Sequence, residues 1–203
     1  MTTRHELAIG EDSWIDVLKL PNDKQEVSSF CFDQIWNLHP EEYSTIFIHG
    51  KYVDTPRWSK EYITPYTWSG VKHEAHALPK LLQPFFDWAN STPYGPFNQL
   101  LVNWYANGLH YIGAHRDAEP EIASDSPIMS ITLGPGTERK FRLRDYYSKK
   151  IELDIPITDG DVVVLSAMAN KMYTHEIPKV QGAKGLSCKP RISITLRRFH
   201  SSS

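Results

Sequence analysis

Cysteine is nearly absent from this chain of 203 residues: Cys31 and Cys188 are the only two. Their spacing suits no zinc site, and two are too few to staple a chain of this size, so a disulfide framework is excluded and a reducing compartment is the simpler expectation. Charge of one sign is also missing. Lys and Arg total 22 against 24 Asp and Glu, a net charge of −2, which lacks the strongly basic balance of a protein that binds nucleic acid mainly through its phosphates. No apolar run approaches membrane-spanning length, and the polar start Met1-Thr-Thr-Arg-His-Glu-Leu7 offers no secretory apolar segment. A soluble intracellular protein is expected, cytoplasmic or nuclear, without membrane association and monomeric. Low-complexity linkers and internal repeats are absent as well. A chain of this length buries one good core, so residues 1–203 are expected to form a single domain.

Against these absences stands a constellation of ligating residues. His115 and Asp117 lie in Tyr111-Ile-Gly-Ala-His-Arg-Asp117, and His175 lies in Tyr173-Thr-His-Glu-Ile-Pro178. Two imidazoles and one carboxylate match the facial triad that holds non-haem Fe(II) and leaves positions open for substrate and oxygen. In an extended segment residues i and i+2 share a side, so His115 and Asp117 can grip one ion while Arg116 faces away. The third ligand must come from a distant strand, and His175 follows the apolar run Val162-Val-Val-Leu165 in a short extended stretch. Alone, His-x-Asp also fits a surface turn.

The C-terminal segment Arg191-Ile-Ser-Ile-Thr-Leu-Arg197 alternates strictly. Arg191, Ser193, Thr195 and Arg197 share one strand face, and Ile192, Ile194 and Leu196 share the other. Six residues span roughly 20 Å of strand, and two arginines leaning inward leave room for a five-carbon diacid held through their planar forks. The other reading is an amphipathic strand with its arginines in water. Asn103 and Tyr105 likewise share a face, offering an amide and a phenol, with Trp104 turned away.

Asn22-Asp23 followed by Glu26 signals a helix cap, and a helix is expected to run through about His39 with Val27, Phe30, Ile35, Trp36 and Leu38 as its buried stripe. Pro79 to Asn90 reads as a second helix whose start Pro84 delays or kinks. Beyond residue 98 short β-rich runs are broken by Gly134-Pro-Gly136, Asp159-Gly-Asp161 and Gly182-Ala-Lys-Gly185, the rhythm of a double-sheet β fold. Lys51, Arg57, Lys60, Arg116, Arg139, Lys140, Arg142 and Arg144 flank the candidate site as a local basic patch or as ordinary mixed surface charge.

The ordered set Asn-x-Tyr, His-x-Asp, distant His and Arg-x5-Arg resembles the AlkB family of Fe(II)- and 2-oxoglutarate-dependent dioxygenases. The resemblance runs from near residue 45 to Phe199 and includes Ser126-Pro-Ile-Met-Ser-Ile-Thr-Leu-Gly134, Lys140-Phe-Arg-Leu-Arg144, His49-Gly-Lys-Tyr52, Pro56-Arg57 and Tyr66-Thr-Trp-Ser-Gly70. It implies an α+β, mainly β, catalytic domain: a double-stranded β-helix (jelly roll) over 98–199, with buttressing helices and a substrate-covering segment in 1–97. It implies Fe(II) on His115, Asp117 and His175, with 2-oxoglutarate and O2 as co-substrates. Arg191 and Tyr105 would meet the distal carboxylate of 2-oxoglutarate, and Arg197, Asn103 and Ser193 the metal-proximal end; Ser193 stands where an asparagine is frequent. Trp68 would stack on a flipped base, with Tyr66 beside it and Glu119 meeting the exocyclic amine. Ser69, Arg57 and Arg116 join them as substrate contacts, and His49 takes the place of an aromatic finger that fills the gap in a duplex. The implied activity is oxidative demethylation of N-alkylated bases of the N1-methyladenine and N3-methylcytosine type in DNA or RNA, repair-like, with single strands favoured because a histidine is a small, polar finger. A hydroxylase of protein side chains and a non-catalytic binding module on the same fold are the alternatives. A zinc hydrolase would leave both strand arginines unexplained.

Overall fold

The computed structural model describes residues 2–48, 50–68 and 71–200, with the side chains of Ser28, Ile48, Tyr66 and Trp68 outside the description. In chain order the elements are β1 (Thr3–Glu6), β2 (Trp14–Lys19), α1 (Asn22–Trp36), β3 (Thr45–Ile48), β4 (Lys51–Asp54), β5 (Trp58–Tyr62), β6 (Tyr66–Trp68), β7 (Val71–His73), α2 (Gln83–Ser91), β8 (Gln99–Tyr105), β9 (Ile112–His115), β10 (Ile128–Leu133), β11 (Glu138–Asp145), β12 (Ile151–Thr158), β13 (Asp161–Leu165), α3 (Ala167–Met172), β14 (Tyr173–Ile177), α4 (Gly182–Ser187) and β15 (Arg191–Arg197). Seven strands form one sheet in the order β1-β2-β13-β10-β15-β8-β5, and four form a second in the order β12-β11-β14-β9. The ladders are antiparallel, and β3–β4 and β6–β7 are separate hairpins. A mostly β fold of two antiparallel sheets fits a jelly roll. Three strands of the larger sheet, β1, β2 and β5, come from residues before 98, so that sheet crosses the boundary expected from the sequence.

The central strands of the larger sheet are buried on both faces, which explains the unbroken run Val162-Val-Val-Leu165. Val162 and Val164 join Leu100, Val102, Trp104, Met129, Ile131, Ile192, Ile194 and Leu196 in one apolar cluster, together with Ile35 of α1 and Phe85 and Ala89 of α2. Val163 and Leu165 face the other way, into a second cluster with Phe141, Leu143, Ile155 and Ile157 of the smaller sheet. On that inner face the residues turn polar across the sheet: Ser130 and Thr132 on β10, then Arg191, Ser193, Thr195 and Arg197 on β15, then Asn103 and Tyr105 on β8. The space between the sheets is therefore a core at one end and a polar pocket at the other.

The helices depart from the sequence reading in detail. α1 is capped by Pro21, whose carbonyl accepts from Lys24 and Gln25, and no side chain caps it; Asp23 pairs with Lys24 instead. Phe30 is 85% exposed, outside the stripe assigned to it. Val27, Cys31 and Ile35 recur every fourth residue and set the buried face, from which Phe30 lies about 140° away relative to Ile35. α2 starts at Gln83, after a turn, with Pro84 in its first turn where its missing N–H costs nothing. Gly182 to Gly185, expected as a break, opens the short helix α4. A Cβ on Gly185 would lie 2.0 Å from the Val180 carbonyl oxygen and one on Gly108 would lie 2.9 Å from Gly185 Cα, so the two glycines permit the close packing in which Gly108 N–H donates to the Gly185 carbonyl at 2.8 Å.

Candidate metal centre and active site

β14 pairs with β9 so that His175 lies directly opposite His115. Residues facing each other across an antiparallel ladder share a sheet face, and the two imidazole centroids are 4.3 Å apart. His115 closes β9, and Asp117 lies two residues beyond, outside any strand. One ligand atom each from His115, Asp117 and His175 lies within 4.8 Å of the others. His115 Nδ1 is 2.9 Å from the Gly113 carbonyl, which can only accept, so Nδ1 carries the proton and Nε2 keeps its lone pair. That Nε2 is 3.5 Å from Asp117 Oδ1. His175 Nδ1 is buried with no hydrogen-bond partner among the described residues.

Arg197 Nε donates to Asp117 Oδ2 at 2.8 Å, its Nη2 lies 2.8 Å from the same oxygen in an ion pair, and Nη1 donates to Gln99 Oε1 at 3.3 Å. Burial alone would raise the Asp117 carboxyl, but the charge of Arg197 beside it holds it well below the usual carboxylate range. His175 is pushed down to about 3, chiefly by burial, so its imidazole is neutral as a metal ligand requires. Two nitrogens and one oxygen thus converge on one point, with deprotonated ligand atoms. This donor set fits Fe(II).

The adjoining pocket is lined by Asn103, Tyr105, His115, Thr132, His175, Arg191, Ser193 and Arg197 among others. Arg191 is 1% exposed. Its Nη2 donates to Thr132 Oγ1 at 3.0 Å and to Ser193 Oγ at 3.4 Å, whereas its Nε and Nη1 have no partner among the described residues. Burial lowers its pKa to about 10, and no carboxylate lies within ion-pair distance of it among the described residues. A buried guanidinium with spare N–H groups is costly unless an anion meets it, and a carboxylate of 2-oxoglutarate meets that requirement. The Tyr105 ring lies 5.1 Å from its Cζ.

The strand face expected from alternation is present, but its two arginines have different work. Arg191 faces the pocket with donors to spare, while Arg197 is committed to Asp117 and Gln99. Ser193 accepts from Arg191 and so helps to orient it. Arg57, expected at the substrate, is buried and donates from Nε to Asn103 Oδ1 at 2.8 Å; this fixes the amide so that Nδ2 can donate to a bound anion. Arg116 faces away from the ligands as expected, with its Cζ 3.7 Å above the Tyr146 ring and Nη1 donating to the Lys171 carbonyl. Glu119 lines a neighbouring pocket with Arg116, Asp117, Asn170, Lys171 and His200. Burial and the Asp117 charge raise its pKa, and its Oε2 has no partner among the described residues. His49 and Ser69 lie outside the described residues, as do the side chains of Tyr66 and Trp68, whose backbone forms β6.

Three of the eight residues of the basic patch have carboxylate partners among the described residues. Lys140 and Arg142 pair with Asp154, and Arg144 pairs with Glu176. Arg139 is buried and donates to the carbonyls of Asn107, His110 and Pro178, tying the loop after β8 to the segment after β14. Sequence patterns gave no sign of that role, nor of Asn170, which bonds the backbone of Asp117.

Two sheets enclosing a His-Asp-His group beside a buried arginine define a non-haem iron oxygenase type of centre. A family model described as the 2OG-Fe(II) oxygenase superfamily matches residues 36–197, and the chain belongs to that superfamily, as an AlkB-like member. It is 28% identical over 161 residues to the human protein named DNA oxidative demethylase ALKBH2, covering 75% of this chain and 60% of the relative. It is also 28% identical over 148 residues to the mouse alpha-ketoglutarate-dependent dioxygenase alkB homolog 3, covering 67% of this chain and 49% of the relative. The chain thus spans about half to 60% of the length of these curated relatives. Among solved structures, one titled "The structure of OsALKBH1" superposes with a TM-score of 0.60 at 15% identity, covering 95% of this chain and all of the other. A 2OG-Fe(II) oxygenase family oxidoreductase from Burkholderia pseudomallei gives 0.54 at 18% identity, covering 89% of this chain and 84% of that one. These two likenesses establish the fold.

Proposed function

We propose that this chain is an Fe(II)- and 2-oxoglutarate-dependent oxidative demethylase of N-methylated nucleobases in DNA or RNA. The observation that carries the reading is Arg191: a buried guanidinium with two donor nitrogens that have no partner among the described residues, in a pocket that also reaches His115 and His175. Its side chain, oriented by Thr132 and Ser193, binds the distal carboxylate of 2-oxoglutarate beneath the Tyr105 ring. Asn103, held by Arg57, donates to the metal-proximal end. His115, Asp117 and His175 hold the metal, and Arg197 keeps Asp117 ionised and aimed. When bound, Fe(II) supplies the oxygen chemistry that turns 2-oxoglutarate into succinate and carbon dioxide and oxidises an N-methyl group that leaves as formaldehyde. The protein supplies geometry and excludes water. Glu119, beside Asp117, accepts from the exocyclic amine of the base, with Trp68 and Tyr66 providing the stacking face. The relatives named as a DNA oxidative demethylase and an alkB homolog support a nucleic-acid substrate, and a single strand is favoured because the net charge is −2 and His49 is a small, polar finger.

The test is incubation of oligonucleotides carrying N1-methyladenine or N3-methylcytosine with the protein, Fe(II), 2-oxoglutarate and ascorbate, followed by mass spectrometry. Loss of the methyl group, abolished in His175→Ala, is expected. Succinate release without demethylation of any such oligonucleotide would move the substrate to a protein side chain.

A further inference from the structure

Asp117 is the one metal ligand that no sheet ladder holds. Its backbone is held instead by a single side chain: Asp117 N–H donates to Asn170 Oδ1 at 3.1 Å, and Asn170 Nδ2 donates to the Asp117 carbonyl at 2.6 Å. A primary amide is the side chain suited to this, since it offers a donor and an acceptor side by side and so closes on a peptide as another backbone would. Asn170 sits in α3, which ends at Met172 and passes without a loop into β14, the strand that carries His175. Ser166 anchors the start of that helix, accepting from Ala169 N–H at 3.0 Å and from Trp14 N–H at 3.1 Å. Arg116, next to Asp117, docks on the same helix through the Lys171 carbonyl.

We infer that Asn170 is a positioning residue of the metal centre, setting the Asp117 carboxylate relative to His175 through the rigid path α3 to β14. The inference rests on the metal reading proposed above. Arg197 fixes where the carboxylate points, and Asn170 fixes where its backbone sits. Partners that orient a ligand typically change metal affinity by about 10- to 100-fold when removed.

Co(II) is the probe, titrated into the metal-free full chain and followed by its visible absorption. Asn170→Ala is expected to weaken Co(II) binding by about 10- to 100-fold while the metal-free protein keeps its circular dichroism spectrum, because alanine is a good helix former. In an Asp117→Asn background the same change is expected to alter affinity by no more than about twofold, since no carboxylate remains to be misplaced. Asn170→Asp keeps the acceptor for Asp117 N–H and loses the donor, so it should fall between wild type and Asn170→Ala. It carries the same comparison if Asn170→Ala does not fold. Unchanged Co(II) affinity, or equal weakening in both backgrounds, overturns the inference alone. Wild-type protein whose Co(II) spectrum is insensitive to His175→Ala overturns the metal reading beneath it.

Discussion

Arg191 is a charge whose environment anticipates a ligand. In the ligand-free protein its desolvation is unrewarded by any carboxylate among the described residues, so replacing it with an apolar chain of similar length removes a cost. Arg191→Met is therefore expected to leave the melting temperature of the ligand-free protein unchanged or raised, while 2-oxoglutarate affinity falls by about 2 to 5 kcal/mol. Calorimetric titration beside thermal unfolding checks both. A stability loss with intact 2-oxoglutarate binding would make Arg191 a structural residue. Asp117 behaves in the opposite sense: Asp117→Ala strips a buried guanidinium of its carboxylate partner, and a loss of about 3 to 5 kcal/mol of stability is expected along with metal binding. Denaturant unfolding of the metal-free variant measures that cost separately from activity.

At the scale of elements, the alternation in β15 and β8 was legible because a period of two leaves a direct trace in the sequence, and the turn of Trp104 away from the pocket, into the apolar cluster, followed from it. The His115 and His175 pairing was legible only as residue types. Their register arises from β9 and β14 meeting across a chain separation that no local pattern encodes. Helix α1 was found but its buried face was misread at Phe30, since a cluster of aromatics says nothing about which of them faces the sheet. The polar cross-links were invisible for the same reason. Asp16 on β2 accepts from Arg4 Nε and Nη2 at 2.7 Å each and from Tyr94 O–H at 2.8 Å, joining β1, β2 and the segment after α2. The hydrogen bonds from Arg4, and then from Tyr94, hold its carboxyl below the ordinary 3.8 despite burial. A depressed folded pKa means that this contribution is full above that ordinary value and is lost as pH falls through the folded one. Asp16→Asn is accordingly expected to lower the melting temperature at neutral pH and to flatten its fall below pH about 4, measured by scans across pH. Ser166→Ala, which removes the cap of α3, should cost about 0.5 to 2 kcal/mol in unfolding free energy.

For the whole molecule, electrostatics argue for contact with few phosphates. The net charge is −2, and Lys140, Arg142 and Arg144 already have carboxylate partners. Binding of a methylated single strand should therefore show a shallow salt dependence, with log K falling against log salt at a slope no steeper than about −3. Fluorescence anisotropy across salt concentrations measures it, and a slope near −7 would mean contact with many phosphates and overturn the expectation.

The two-sided strand β15 has one further consequence. Its aliphatic residues sit in the apolar cluster and its polar residues in the reaction pocket, so displacement by a single position would exchange the two sets. Guanidiniums would enter hydrocarbon and isoleucines would line the chemistry, which leaves no half-correct packing that still turns over. Molecules recovered from denaturant should divide into fully active and inactive populations, and the specific activity of the soluble, natively folded fraction should stay constant however low the yield.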